Sequence, residues 1–250
     1  LYSTVGGGQS NVASGNYSTV SGGFGNSASA YFSNVSGGYS NTASGYYSTV
    51  GGGFGISGVG NTASGNYSTV SGGRNNTASA YYSTVSGGGS NIASASGSTV
   101  SGGFGNSASA YYSTVSGGSS NTASGRCSTV GGGFGNSASA YFSNVSGGSS
   151  NTASGYYSTV GGGWCNITNA RHSTISGGNR NIIQSPTNEC CSRGATIGGG
   201  VGHNSSGGTL NGTTGDLTGT ITCCNAGAYS TIGGGLRNIV TGNCSTVSGG

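Results

Sequence analysis

The chain has 250 residues, of which 58 are glycine, one is proline and none is methionine. Its ionisable inventory is six arginines, no lysine, Glu189 and Asp216, with two histidines, for a formal net charge of +4. The arginines are scattered from Arg74 to Arg237 with no basic stripe suited to nucleic acid, the two carboxylates make no acid–base pair, and no run of about eighteen apolar residues exists to cross a membrane as a helix.

Glycine- and serine-rich composition by itself describes a disordered segment. A fixed period speaks against it. Copies of the stretch Tyr112–Gly118, Tyr-Ser-Thr-Val-Ser-Gly-Gly, begin at Tyr2, Tyr17, Phe32, Tyr47, Tyr67, Tyr82, Gly97, Tyr112, Cys127, Phe142, Tyr157, His172, Gly194, Tyr229 and Cys244. A solvated linker has no physical reason to keep such columns, whereas stacked repeats do.

Counting the aromatic position as column 1, a turn reads Ser at 2, Thr at 3, Val at 4, Ser or Gly at 5, Gly at 6 and 7, Asn at 10, Ala at 12, Ser at 13 and Gly or Ala at 14. Side chains alternate across a strand, so Val115 inward implies Ser113 inward, with Tyr112 and Thr114 outward. The same logic puts Asn121 and Ala123 inside and Thr122 and Ser124 outside. Gly117-Gly118 supplies a sharp corner, and the recurring asparagine is expected to cap the other corner with its amide. The expected fold is all-β: one β-solenoid (β-roll or β-helix) over 1–250, of about fifteen turns of fifteen residues with two short strands each. Val5 to Val247 would form one apolar ladder and Ala13 to Ala153 a second. Three inserts interrupt the period, within 55–60, 182–193 and 198–228, and are read as loops. Leu1 precedes one repeat and Gly250 falls inside another, which suggests a segment of a longer array.

The last two inserts each hold a vicinal cysteine pair, Cys190-Cys191 and Cys223-Cys224. Loops leaving adjacent turns make cross-linking between them the natural reading, which requires an oxidising compartment and so an extracellular or cell-surface location. Metal binding is the rival, but no CxxC spacing or histidine cluster supports it. The cysteines number seven, and Cys127, in the outward aromatic column, is the candidate for a thiol that pairs between chains. Among the Asn-x-Ser/Thr sequons, Asn16, Asn34, Asn66 and Asn144 fall where side chains point outward and are the candidate sites for covalent glycans. His172 and His203 stand alone, the first as a substitution in a surface column and the second as a loop residue. No catalytic residue, metal or cofactor is expected.

A thin core of one Val and one Ala per turn points to stabilisation by self-association into a filament or homo-oligomer. The aromatic pairs Tyr31-Phe32, Tyr46-Tyr47, Tyr81-Tyr82, Tyr111-Tyr112, Tyr141-Phe142 and Tyr156-Tyr157 mark an edge where such contacts would form; the plainer reading is that neighbouring rings only stack on one another. The functional expectation is a structural subunit of an extracellular fibre or surface appendage. Alternatives are an ice-binding solenoid with a hydroxyl face at columns 11 and 13 (Thr42 and Ser44, Thr77 and Ser79, Thr122 and Ser124, Thr152 and Ser154), broken at Val12, Ser27, Ile92 and Ser107, and an adhesin or glycan-binding surface protein resting on the exposed tyrosines.

The run Ala13–Gly23, ASGNYSTVSGG, resembles the head repeats of trimeric autotransporter adhesins, and is similar to NTASGYYSTVGGG-type arrays of tail-fibre-like surface proteins. The likeness covers nearly all of the chain outside the inserts. It implies a β-roll, association into trimers or fibres, and an adhesive or structural role at a surface. The period here is fifteen where that of the adhesins is fourteen, and the cysteine-bearing inserts are foreign to their pattern.

Overall fold

Alternation along two-residue strands decides what is buried. A computed structural model describes residues 2–55, 59–185, 192–206 and 227–250, in two compact units, Leu1–Asn121 and Thr122–Gly250. In the first unit the strands Thr4–Val5, Thr19–Val20, Asn34–Val35, Thr49–Val50, Thr69–Val70, Thr84–Val85, Thr99–Val100 and Thr114–Val115 stack in that order as one parallel sheet. Val12–Ala13, Ser27–Ala28, Thr42–Ala43, Thr62–Ala63, Thr77–Ala78, Ile92–Ala93 and Ser107–Ala108 stack as a second. The second unit repeats the plan, from Thr129–Val130 to Thr246–Val247 and from Thr122–Ala123 to Ile182–Ile183. The fold is thus the parallel β-solenoid expected, with identical columns in register: Thr84 pairs with Thr99 and Val85 with Val100.

Val20 through Val115, the alanines from Ala28 to Ala108, and the column 2 serines are buried, while column 3 is half-buried and columns 1 and 13 are mostly exposed. Towards the end of the second unit the core thickens: Ile175, Ile183, Ile197, Ile232 and Val240 pack with Ala170 and Ala195. Larger side chains there replace the Val and Ala of the earlier turns, burying more apolar surface per turn.

The asparagine column holds the glycine corner, not the opposite one. Asn26 Nδ2 donates to the Gly22 carbonyl of its own turn at 3.0 Å and to the Gly38 carbonyl of the next at 2.8 Å. Its Oδ1 accepts the Asn41 backbone N–H at 2.9 Å. The same set recurs at Asn76 and Asn91. Around the first insert it survives intact, because Asn61 reaches Gly52 at 2.7 Å and Gly73 at 2.9 Å while its N–H meets Asn41 Oδ1 at 3.0 Å. The ladder therefore keeps its register across the insert.

The opposite corner is a tight turn in which the column 2 N–H donates back to column 14, as from Ser33 to the Ala30 carbonyl at 3.2 Å. Where column 14 is alanine, the buried serine hydroxyl closes the turn: Ser33 Oγ donates to Ala30 O at 2.8 Å and accepts from Ala30 N at 3.1 Å. Where it is glycine, the hydroxyls of Ser18, Ser48, Ser68, Ser128 and Ser158 are buried without a partner. The column 1 residue of this turn takes a left-handed backbone, φ 59° at Tyr17, 55° at Phe32 and 55° at Tyr82. That conformation costs about 1–2 kcal/mol for a residue with a Cβ, so the aromatic ring must return something for its place there.

The second glycine of each corner has no room for a side chain. At Gly103, with φ 86°, a Cβ would lie 2.0 Å from the Gly118 carbonyl oxygen and 2.6 Å from Asn106 Nδ2. At Gly117, the first glycine of its pair, a Cβ would meet nothing within 4 Å. Gly103→Ala is accordingly expected to destabilise the chain by more than about 3 kcal/mol, whereas Gly117→Ala changes stability by less than about 1 kcal/mol. Chemical denaturation of the two variants, followed by circular dichroism, checks the contrast.

Candidate functional site: the aromatic edges

Stacked turns put successive column 1 rings about one strand spacing apart, close to the thickness at which rings stack. In the first unit Tyr2, Tyr17, Phe32, Tyr47, Tyr67 and Tyr82 form one continuous series, with centroids 5.5 Å apart for Tyr2–Tyr17, 4.8 Å for Tyr17–Phe32, 5.0 Å for Phe32–Tyr47 and 5.1 Å for Tyr47–Tyr67 and Tyr67–Tyr82. Column 15 adds a second row set edge-on against the first: Tyr31 on Phe32 at 4.5 Å, Tyr81 on Tyr82 at 4.2 Å, Tyr111 on Tyr112 at 4.3 Å. The neighbouring Tyr82 raises the Tyr81 phenol above its ordinary value. In the second unit Phe142, Tyr157 and His172 continue the pattern at 5.2 and 5.0 Å. Tyr141 lies against Phe142 and under the Arg126 guanidinium.

Within each unit column 1 rings stack on one another where consecutive turns carry them, as at Phe32–Tyr47 and Phe142–Tyr157. Stacking covers ring faces and leaves ring edges in water: Tyr17 is 43% and Tyr47 45% exposed. Each ring thereby gains about 0.5–1.5 kcal/mol beyond its burial, which offsets the left-handed backbone beneath it. The column is interrupted at Gly97, where an added Cβ would stand 2.5 Å from the Tyr112 ring. Column 8 carries a second exposed aromatic row, Phe24, Tyr39 and Phe54 in the first unit, at 5.1 and 5.3 Å; in the second, Trp164 is covered by Arg180 at 4.8 Å.

Cys127 sits half-buried in column 1, and its thiol is free, as are those of Cys165 and Cys244. Cys190, Cys191, Cys223 and Cys224 lie outside the described residues. The sequons divide by backbone setting. Asn16 and Asn66 are exposed in the column 15 turn, and the Asn66 side-chain oxygen accepts the Tyr46 N–H at 3.0 Å. Asn34 and Asn144 replace threonine within strands, half-buried, and their amides donate to the sequon hydroxyls Ser36 and Ser146. The column 11 and 13 face is outward as expected, with Val12 and Ile92 interrupting its hydroxyls.

His203 was expected in a loop and is instead a rung of the asparagine ladder. Residues 196–206 continue the solenoid, with Val201 bridging Asn179 and Leu236, and Asn204 bridging Ile182 and Ile239. The His203 N–H donates to Asn181 Oδ1 at 2.9 Å, and its Nδ1 accepts the Asn238 N–H at 3.0 Å. Nδ1 thus plays the part of an asparagine Oδ1, and Nε2, directed at the glycine corner, takes the place of Nδ2; a Cβ on Gly200 would meet Nε2 at 2.3 Å. Nε2 is buried without a well-formed partner. Spacings of 22 and 35 residues to its neighbouring rungs hid this one, because the period breaks on both sides of it. The Gly199-Gly200 pair three residues before His203, matching Gly117-Gly118 before Asn121, is the signal that identifies it.

Nδ1 accepts a hydrogen bond from a backbone N–H, so the ladder requires neutral imidazole. Burial pushes the His203 pKa below the usual 6.5, with the backbone at Gly235 opposing in part. The unfolded chain binds the proton at higher pH than the folded one, so stability is full above the unfolded value and declines as pH falls below about 6.5. Thermal melts from pH 8 to pH 5 should show this loss, and His203→Asn should flatten it. No protein-family model matches the sequence, and no curated protein matches it.

Proposed function

We propose that the chain is a structural subunit of an extracellular or cell-surface fibre, which associates with further copies of itself through its aromatic edges. The observation that carries the reading is the unbroken ring series from Tyr2 to Tyr82 with its outer row at Tyr31, Tyr46 and Tyr81, whose edges remain open to water. A row of half-exposed aromatic rings on a nearly uncharged protein costs solubility unless it is covered by a partner. Because the rings are already stacked and held, docking a second copy against them loses little side-chain entropy. The likeness of the repeats to adhesin heads and tail-fibre-like proteins fits an adhesive or scaffolding task at a surface. Glycans at Asn16 and Asn66, disulfides among the insert cysteines, and a bond between chains through Cys127 belong to the same reading, as features of an oxidising, extracellular setting.

The outer row tests it, because Tyr46, Tyr81 and Tyr111 stand beside the column 1 stack. Sedimentation of the wild-type chain over a concentration series should reveal reversible assembly. A Tyr46→Ser, Tyr81→Ser, Tyr111→Ser variant should assemble at least about tenfold more weakly, as expected for interface aromatics worth about 1–2 kcal/mol each, while retaining its circular dichroism. A wild-type chain that stays monomeric at the highest concentration contradicts the proposal.

A further inference from the structure

The first sheet of the first unit presents a second surface that the aromatic edges do not use. Its outward column 3 is Thr4, Thr19, Asn34, Thr49, Thr69, Thr84, Thr99 and Thr114, each directly paired with the next. Beside it runs column 5, exposed throughout, with serine at 21, 36, 71, 86, 101 and 116 and glycine at 6 and 51. Seven of the eight column 3 positions are threonine, against four of eight at column 11 over the same turns, where Val12 and Ile92 intrude.

Three properties of this face define what can sit on it. It carries no charge, since the one charged side chain of the first unit, Arg74, stands at column 8; an ionic or peptide partner finds nothing to pair with. It is rigid, because threonine is stiff at χ1 and each strand is hydrogen-bonded to the strands before and after it. It is periodic, with equivalent hydroxyls and methyls about 4.8 Å apart along the ladder. Water oxygens hydrogen-bonded about 2.75 Å apart at the tetrahedral angle have next-nearest neighbours about 4.5 Å apart. The two spacings differ by about 0.3 Å per rung, so successive threonines meet equivalent sites of a tetrahedral water lattice over about three rungs.

We infer that the threonine–serine face of this sheet binds ice, its hydroxyls entering the lattice at next-nearest oxygen positions and its methyls filling the spaces between them. The inference is independent of fibre assembly, which uses other columns. It also moves the hydroxyl face from columns 11 and 13 to columns 3 and 5.

Thermal hysteresis and ice-recrystallisation assays on the full chain test it directly. Wild-type protein should shape ice crystals and depress their growth temperature. Combined Thr69→Tyr, Thr84→Tyr and Thr99→Tyr substitutions should abolish both effects with the circular dichroism unchanged, and the single Thr84→Val variant, which keeps the shape, guards against misfolding as the cause. The control set Thr42→Tyr, Thr62→Tyr and Thr77→Tyr, on the other sheet, should leave both effects in place. Absence of hysteresis in the wild-type chain overturns the inference, as does a loss confined to the control set or shared equally by both sets. Binding to crystalline cellulose or chitin without any effect on ice also overturns it, and assigns the face to a polysaccharide surface.

Discussion

A single carboxamide in each turn does three jobs that the rest of the fold depends on. Asn91 holds the glycine corner of its own turn through Gly87, holds that of the next through Gly103, and gives its oxygen to the N–H of Asn106. All these groups are buried or partly buried, where an unmade hydrogen bond costs about 1–3 kcal/mol. Because one side chain bonds two successive turns, a turn cannot slip or rotate without breaking three bonds at once. The glycine at column 7 completes the device: its missing Cβ is the space the amide occupies. The ladder side chain and the column 7 glycine are therefore one unit of the repeat, and where His203 stands in for asparagine the glycine, Gly200, is kept.

With the register held in this way, the interior can be thin and the exterior ordered. Val and Ala columns fill a narrow core, and backbone ladders carry much of the cohesion. The exterior then inherits the lattice of the interior. Rings repeat at column 1 close to stacking distance, and threonines repeat at column 3 in direct pairs. The left-handed backbone under Tyr17 or Tyr82 is a local cost that the ring stack offsets, and Gly97, which adopts that backbone freely, is where the stack is interrupted. Aromatic edges and hydroxyl faces belong to separate columns, so one body offers two chemically distinct surfaces.

Much of this was legible in the residues. Period and alternation located Val115, Ser113 and Ala123 inside, Thr114 outside, and the corner at Gly117-Gly118, because burial in a strand follows a two-residue rule. The asparagine column was recognised as structural but assigned to the wrong corner: its partners lie four residues back and twelve ahead, a relation that only the closed turn creates. His203 escaped because inserts on either side destroy the count, and imidazole does not look like a carboxamide until its two nitrogens are placed. The same two-residue rule faces Thr69, Thr84 and Thr99 outward. Their significance lies in direct pairing between turns, whereas the sequence displays them fifteen residues apart.

The central claim, that the asparagine ladder holds the turns in register, is tested most directly by residue-resolved amide hydrogen exchange on the intact chain. The backbone N–H groups of Asn26, Asn41, Asn76, Asn91 and Asn106 are bonded to a side-chain oxygen of the adjacent turn, not to a carbonyl of the backbone ladder. If those bonds hold the stack together, these amides exchange as slowly as the strand amides of Thr84 and Thr99, opening only when whole turns separate. Exchange at the rate of the exposed corner glycines would contradict the account and leave the backbone ladders alone to set the register.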